Sequence, residues 1–370
     1  MAKKRRSFWK RFDYILLLSV ILLAVYGLIM ISSATANSTY GSFPYLKQQG
    51  LALGLGLIAI IVLSLIDYEW WGKLYLVIYF VCNGLLLAVL LFGFGEERWG
   101  ARSWLSIGGF TFQPSEIVKI GIIISVAKYI DNNKENLNEL PTLIKVLAFA
   151  AVPIGLIAKQ PDAGTAAVYV FFIAVMLFIA GLDWKYILYS VLAGVMSAPI
   201  LWFTLEGYQK NRILNFIDPT RDVLGSGYQL DQSITAIGSG KIFGRGLYEG
   251  VQTQLGFLPE VQTDLIFAVI GEELGLLGGL ILITLYAIML LRLVRIARNT
   301  EDLFGSLIII GVSSMMTFHI FENIGMTMGL LPLTGIPLPF MSYGGTFLLV
   351  NMVSIGMALS VGIRKEGLNF

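Results

Sequence analysis

A few ionisable side chains stand where an apolar sequence should carry none. Glu116 and Lys119 lie three residues apart at the start of an apolar run, so on a helix they share a face and can pair. Asp162 follows Gln160-Pro161 and opens a second run. Asp264 ends a polar stretch and meets a third. His319, Glu322 and Asn323 fall at i, i+3 and i+4 within a fourth. Carboxylates so placed can take a proton from a reacting hydroxyl, and cations can offset negative charge on a leaving group. Plain structural roles also exist. Pro114 suits a first helical turn, where Glu116 can satisfy free amides. Asp162 can serve as an N-cap. Thr263 or Asp264 can cap the run that follows, and the helix dipole would then hold Asp264 ionised, as a base requires. His319 reads as a packing residue, and no metal site is assigned. Glu272 and Glu273 interrupt the run after Asp264, and two adjacent residues cannot share a helix face.

The elements that position these groups follow from composition. Of 370 residues, 56% are hydrophobic and only 14% charged. Repeated apolar runs of about 18 residues or more belong in a bilayer, and spans of that length must be helices. The expected fold is an all-α integral membrane protein with ten transmembrane helices, near 14–34, 47–66, 74–94, 114–130, 143–159, 163–181, 186–205, 265–292, 304–330 and 345–363. The chain reads as a single polytopic membrane domain, 1–370. The first run is long for a signal peptide and is read as an uncleaved span, although Ala34-Thr35-Ala36 resembles a cleavage site. With the N-terminus inside, sixteen Lys/Arg fall on the inner side, which places both termini in the cytoplasm. One Cys excludes an internal disulfide and a Cys-based zinc site, and one His leaves little room for a serine-protease triad. A net charge of +2 gives no sign of nucleic-acid binding.

Three segments break the apolar pattern. Residues 206–264, between the seventh and eighth spans, hold nine Gly, five Lys/Arg and seven Asp/Glu, and are placed outside the membrane as a loop rather than an independent domain. Loops of that length are usually functional or disordered. Its Lys210, Arg212, Arg221, Lys241 and Arg245 can hold phosphate oxygens. The Gly-rich run 238–246 is no P-loop, since its spacing is wrong. Residues 98–112 mix Trp and Arg with Gly and read as an interfacial belt. Residues 331–346, LPLTGIPLPFMSYGGT, cannot be regular helix and read as a re-entrant or tightly folded outer connector.

The wording of residues 331–345 resembles the signature of the SEDS (shape, elongation, division and sporulation) membrane proteins, the FtsW and RodA group. Other segments fit in family order. They are Gly100-Ala101-Arg102-Ser103-Trp104, Gln113-Pro114-Ser115-Glu116 with Lys119, and Gln160-Pro161-Asp162 with Gly164-Thr165. Tyr208-Gln209 with Arg212, Gly227-Tyr228-Gln229, and Asp264 with Gly271-Glu272-Glu273-Leu274-Gly275 complete the set. The wording is more like the RodA, or elongation, branch.

The resemblance implies a peptidoglycan glycosyltransferase of the bacterial cytoplasmic membrane. Its substrate would be lipid II, an undecaprenyl-diphosphate-linked disaccharide-pentapeptide, and its partner a class B penicillin-binding protein. It places the catalytic carboxylate at Asp264. Arg102, Lys119 and Arg212 are then candidates for the diphosphate, with Glu116 orienting Lys119, and Asp162, Gln229 and Glu322 complete the expected substrate-binding set. A divalent cation, Mg or Mn, can share the work, although no dedicated cage is visible. The rival reading is a flippase for the lipid-linked precursor. Against it stand the concentration of polar groups on the outer side and the absence of an inverted repeat.

Overall fold

The computed structural model describes residues 11–39, 41–95, 102–108, 110–205, 207–222 and 225–364. Helix α1 (Tyr14–Ala34) starts where the Asp13 carboxylate accepts the Leu16 amide at 3.0 Å. Helix α2 (Phe43–Leu65) takes Pro44 into its first turn. The short α3 (Glu69–Lys73) leads into α4 (Tyr75–Phe92). A small antiparallel hairpin, β1 (Leu105–Ile107) with β2 (Phe110–Phe112), sets Leu105 opposite Phe112 and delivers the chain to α5 (Pro114–Asn132). Helices α6 (Leu140–Ala158), α7 (Ala163–Ile179) and α8 (Trp184–Thr204) follow. The long loop builds α9 (Gly207–Ile217), α10 (Ser226–Gly240) and α11 (Val251–Gln254). Helices α12 (Ile266–Arg298), α13 (Leu303–Thr327) and α14 (Gly345–Arg364) complete the described chain.

Helix occupies each of the ten segments expected to be apolar spans. Seven of them, α1, α2, α4, α6, α12, α13 and α14, are long and apolar enough to cross a membrane, and α7 is apolar but shorter. Burial sorts the bundle. The apolar stretch of α14 is 83% buried, against 28% for α2, α4 and α6. Helices α5, α13 and α14 therefore form the interior, and the others turn Leu, Ile and Phe outward, as a hydrocarbon solvent permits. Helix α13 packs on α5, α7 and α12, while α14 packs on α2. The N-terminal end of α1 and the C-terminal part of α12 are tied by Arg292, whose Nη2 lies 2.6 Å from Asp13 Oδ2.

Helix α12 is not the regular span that the sequence suggests. Gly275 has φ +63° and ψ −159°, and residues 241–246 fill the break. The Leu276 and Leu277 amides donate to the Lys241 and Ile242 carbonyls at 2.9 and 3.1 Å. The Arg245 and Gly246 amides donate to the Glu272 and Glu273 carbonyls, each at 3.0 Å. These bonds re-pair backbone groups that a break in a helix sets free. A Cβ at position 275 would lie 2.4 Å from the Gly244 nitrogen, so only glycine fits.

The same loop answers the puzzle of two adjacent buried carboxylates. Glu272 accepts the Gln252 amide at 2.7 Å, the Thr253 amide at 3.0 Å and the Thr253 hydroxyl at 2.7 Å. Glu273 accepts from the Ser33 hydroxyl at 2.6 Å and the Gln254 side-chain amide at 3.1 Å. Both residues are consumed in holding the loop to α12 and α1.

Candidate active site

A cavity of about 580 Å³ opens between the hairpin end, α7, α9, the segment before α12, α13 and the connector 331–344. Asp162, Arg212, Glu260, Asp264 and Glu322 line it, with Ser103, Gln113, Gln209 and Gln262 supplying neutral polar groups. Ala167, Ile213, Phe318 and Ile336 form an apolar side. Of the sequence-derived candidates, four converge here: Asp162, Arg212, Asp264 and Glu322.

Asp264 is carried by a segment held at three consecutive carbonyls. The Tyr343 amide donates to Gln262 O at 2.8 Å, the Ser342 hydroxyl to Thr263 O at 2.6 Å, and the Asn323 side-chain amide to Asp264 O at 2.8 Å. The Pro- and Gly-rich connector is thus a buried brace, as expected of irregular backbone in a membrane protein. It also forms a wall. A Cβ at Gly335, where φ is +78°, would come within 3.2 Å of Asp264 Oδ2. Gly335→Ala combines backbone strain with crowding of the carboxylate. It is expected to lower turnover at this site by roughly 10-fold or more with KM little changed, a ~1 Å displacement of a reacting group being enough. Steady-state kinetics on the purified variant check this, and an unchanged kcat would show that the wall has slack.

Asp264 does not cap α12. Leu265 is the flanking residue, and no side-chain capping bond is made there. Its carboxylate therefore does not gain the low proton affinity that a capping role would bring. The residue is half-buried: it opens onto the cavity, while protein atoms surround it on its other sides. That burial, reinforced by Glu260 and opposed by Arg212, pushes the carboxyl up to about 7.

Arg212 reaches the cavity from α9 and donates through Nη1 to Thr334 O at 3.0 Å. The Thr334 hydroxyl in turn donates to Glu322 Oε1 at 3.0 Å. One residue of the connector thus fixes both a cation and an acid that line the cavity with Asp264. Asp162 keeps its expected capping role, accepting the Thr165 amide at 3.0 Å through Oδ1. Its Oδ2 accepts from Gln113 Nε2 at 3.2 Å and faces the cavity, so cap and cavity wall coincide. Ser103 and Trp104, within residues 98–112, also line the cavity together with Gln113; residues 98–101 and 109 lie outside the described residues.

Glu116 and Lys119 pair as their spacing requires, but away from the cavity lining. Lys119 is 1% exposed, with Nζ 2.7 Å from Glu116 Oε1 and 2.9 Å from His319 Nε2. His319 Nδ1 lies 3.2 Å from Pro337 O, which assigns its proton to Nδ1 and leaves Nε2 to accept from the ammonium. Arg102 is exposed, one residue from the lining Ser103, and Gln229 is half-buried on α10; neither lines the cavity. From the loop, Gln209, Arg212 and Ile213 of α9 and Glu260, Gln262, Thr263 and Asp264 line the cavity, whereas Lys241 and Arg245 meet the break in α12 through their backbones and leave their side chains exposed. Among the described residues no group of three or more His, Cys, Asp or Glu could hold a metal ion, so the divalent cation has no fitted site here. Glu260, Gln262, Thr334 and Gly335 join the site without a spacing or motif of their own to mark them. Their only signal was proximity to Asp264 in sequence or membership of the connector.

Fold and cavity together define a multi-pass membrane protein with an ionisable site at one end of its helical bundle. This chain belongs to the FtsW, RodA and SpoVE family, whose sequence profile, described as a cell cycle protein, matches residues 13–366. It is 38% identical to stage V sporulation protein E of Bacillus subtilis (strain 168), over 94% of this chain and 96% of that one. It is 37% identical to the peptidoglycan glycosyltransferase MrdB of Escherichia coli (strain K12), over 99% and 98%. A solved chain from a peptidoglycan synthase complex that coordinates polymerization and crosslinking superposes with a TM-score of 0.82 at 29% identity, covering 96% of this chain and 98% of that one.

Proposed function

We propose that this chain is a peptidoglycan glycosyltransferase that polymerises lipid II into glycan strands at the outer face of a bacterial cytoplasmic membrane. Ten crossings carry it, with both termini inside and residues 206–264 outside as part of one polytopic domain. The observation that carries the reading is Asp264, half-buried in a cavity that Arg212 also lines. Asp264 acts as the base that takes the proton of an acceptor sugar hydroxyl. That hydroxyl attacks the anomeric carbon of the donor, and the lipid diphosphate leaves. Arg212 offsets charge on the leaving diphosphate, with Arg102 at the rim. Asp162, Glu322 and the neutral amides offer hydrogen bonds to sugar and peptide. A class B penicillin-binding protein, supported by the likeness to the synthase-complex chain, crosslinks the product. The elongation branch is proposed on the wording of residues 331–345. Depletion in the host cell tests it: loss of rod shape is expected, and filamentation or blocked sporulation would move the chain to another branch.

A base with a proton affinity near neutrality suits catalysis at physiological pH. Asp264 must be deprotonated to act, and its carboxyl sits at about 7. Polymerisation by purified protein from lipid II in detergent is therefore expected to rise roughly 10-fold per pH unit below that value and to level off above it. Polymer formed without a second compartment marks an enzyme. Lipid II left unpolymerised at every pH, with transfer across vesicles instead, would favour a flippase.

A further inference from the structure

Of the three side chains and amides that hold the Asp264 segment, Asn323 makes the most unusual contact. It is fully buried on α13. Its Nδ2 donates to Asp264 O and to Ile336 O, each at 2.8 Å. Its Oδ1 has no protein partner among the described residues. Turning the amide would set Oδ1 against two carbonyl oxygens, so the two acceptors fix which way it points. Asp264 is the proposed base. Ile336 follows Gly335, where an added Cβ would come within 3.2 Å of Asp264 Oδ2. One amide thus ties the main chain that carries the carboxylate to the wall on which the carboxylate rests.

We propose that Asn323 is a positioning residue, whose amide sets the place of the Asp264 carboxylate in the cavity by bridging the two backbone segments on either side of it. It acts through Asp264 and touches no substrate. This rests on the reading of Asp264 as the base. The charged groups that act on that carboxylate are Glu260 on its own segment and Arg212 from α9; Glu322 from α13 and Asp162 at the cap of α7 line the same cavity. None of them bonds to Asn323, so replacing Asn323 changes the carboxylate's position without changing its charged neighbours.

The test uses full-length purified protein and lipid II. Asn323→Leu fills the same volume without a donor. Its kcat is expected to fall by about 30- to 100-fold with KM within about twofold, and the midpoint of the pH–rate curve is expected to move, because a displaced base is both misaimed and differently buried. Asn323→Asp sets oxygen against the two carbonyls and should be slower still. Wild-type kcat with an unmoved midpoint overturns the proposal, as does a loss that only matches the lost folded fraction. Asn323→Ala is assayed in parallel, and failure of both Leu and Ala variants to fold would mark the residue as structural and overturn it as well. Asp264→Asn separates the two readings. Activity in that variant removes the base itself, whereas an inactive Asp264→Asn beside a normal Asn323→Leu removes only the positioning role.

Discussion

Asp264→Asn is expected to abolish glycan-strand synthesis by the purified protein while leaving the fold intact. The substitution keeps the shape of the side chain and removes only its capacity to accept a proton. Loss of a positioned general base typically costs 10²- to 10⁴-fold, about 3–5 kcal/mol of barrier. Stability should move the other way or not at all. The carboxyl has its proton affinity raised to about 7 in the folded chain. Between its unfolded value and about 7 the folded state binds the extra proton, so raising the pH through that window destabilises the fold, and the penalty is complete above about 7. A neutral amide escapes that penalty. At pH 8 the variant should therefore melt at or above the temperature of the parent protein. An inactive variant with unchanged or higher thermal stability separates catalysis from folding. Normal strand synthesis by it would remove Asp264 from the mechanism.

The sequence made some of this site legible, and the limits are physical. Local rules worked where both partners lie within one turn. The i, i+3 spacing of Glu116 and Lys119 gave their ion pair, and Asp162 before an apolar run gave its N-cap. Ten apolar runs became ten helices because the 3.6-residue repeat and the length of a run are properties of the chain itself. Long-range pairings were invisible. Nothing near His319 in sequence announces Lys119 as its neighbour, and nothing near Ser33 announces Glu273. The break at Gly275 was hidden because glycine inside an apolar run also suits an unbroken span; only residues 241–246, packed against it, show why the helix stops. Asp264 illustrates how a sound local rule can fail. Its place ahead of a span suggested a cap and an ionised carboxylate, but the helix begins two residues later and burial dominates.

Lys119→Met is the other change with a large expected effect, and it acts through the scaffold. Methionine matches the length of the lysine stem but removes the ammonium between Glu116 and His319. The Glu116 carboxylate, 6% exposed, is then left without its cation. Removing one partner of a buried ion pair typically costs about 3–5 kcal/mol, because the surviving charge stays desolvated. The variant should lose folded yield and thermal stability, and strand synthesis should fall in step. Since Glu116 neutralises Lys119 where they sit, the pair projects little net field into the cavity. Its work is to hold α5 against α13, on which His319 and the cavity-lining Glu322 lie three residues apart. The double variant Glu116→Gln/Lys119→Met leaves no orphaned charge. It is expected to recover most of the stability and, with it, most of the activity, giving a coupling in the range of 0.5–3 kcal/mol typical of side chains in contact. A double variant that folds well but does not polymerise lipid II would defeat this account and make the Lys119 charge itself part of the reaction.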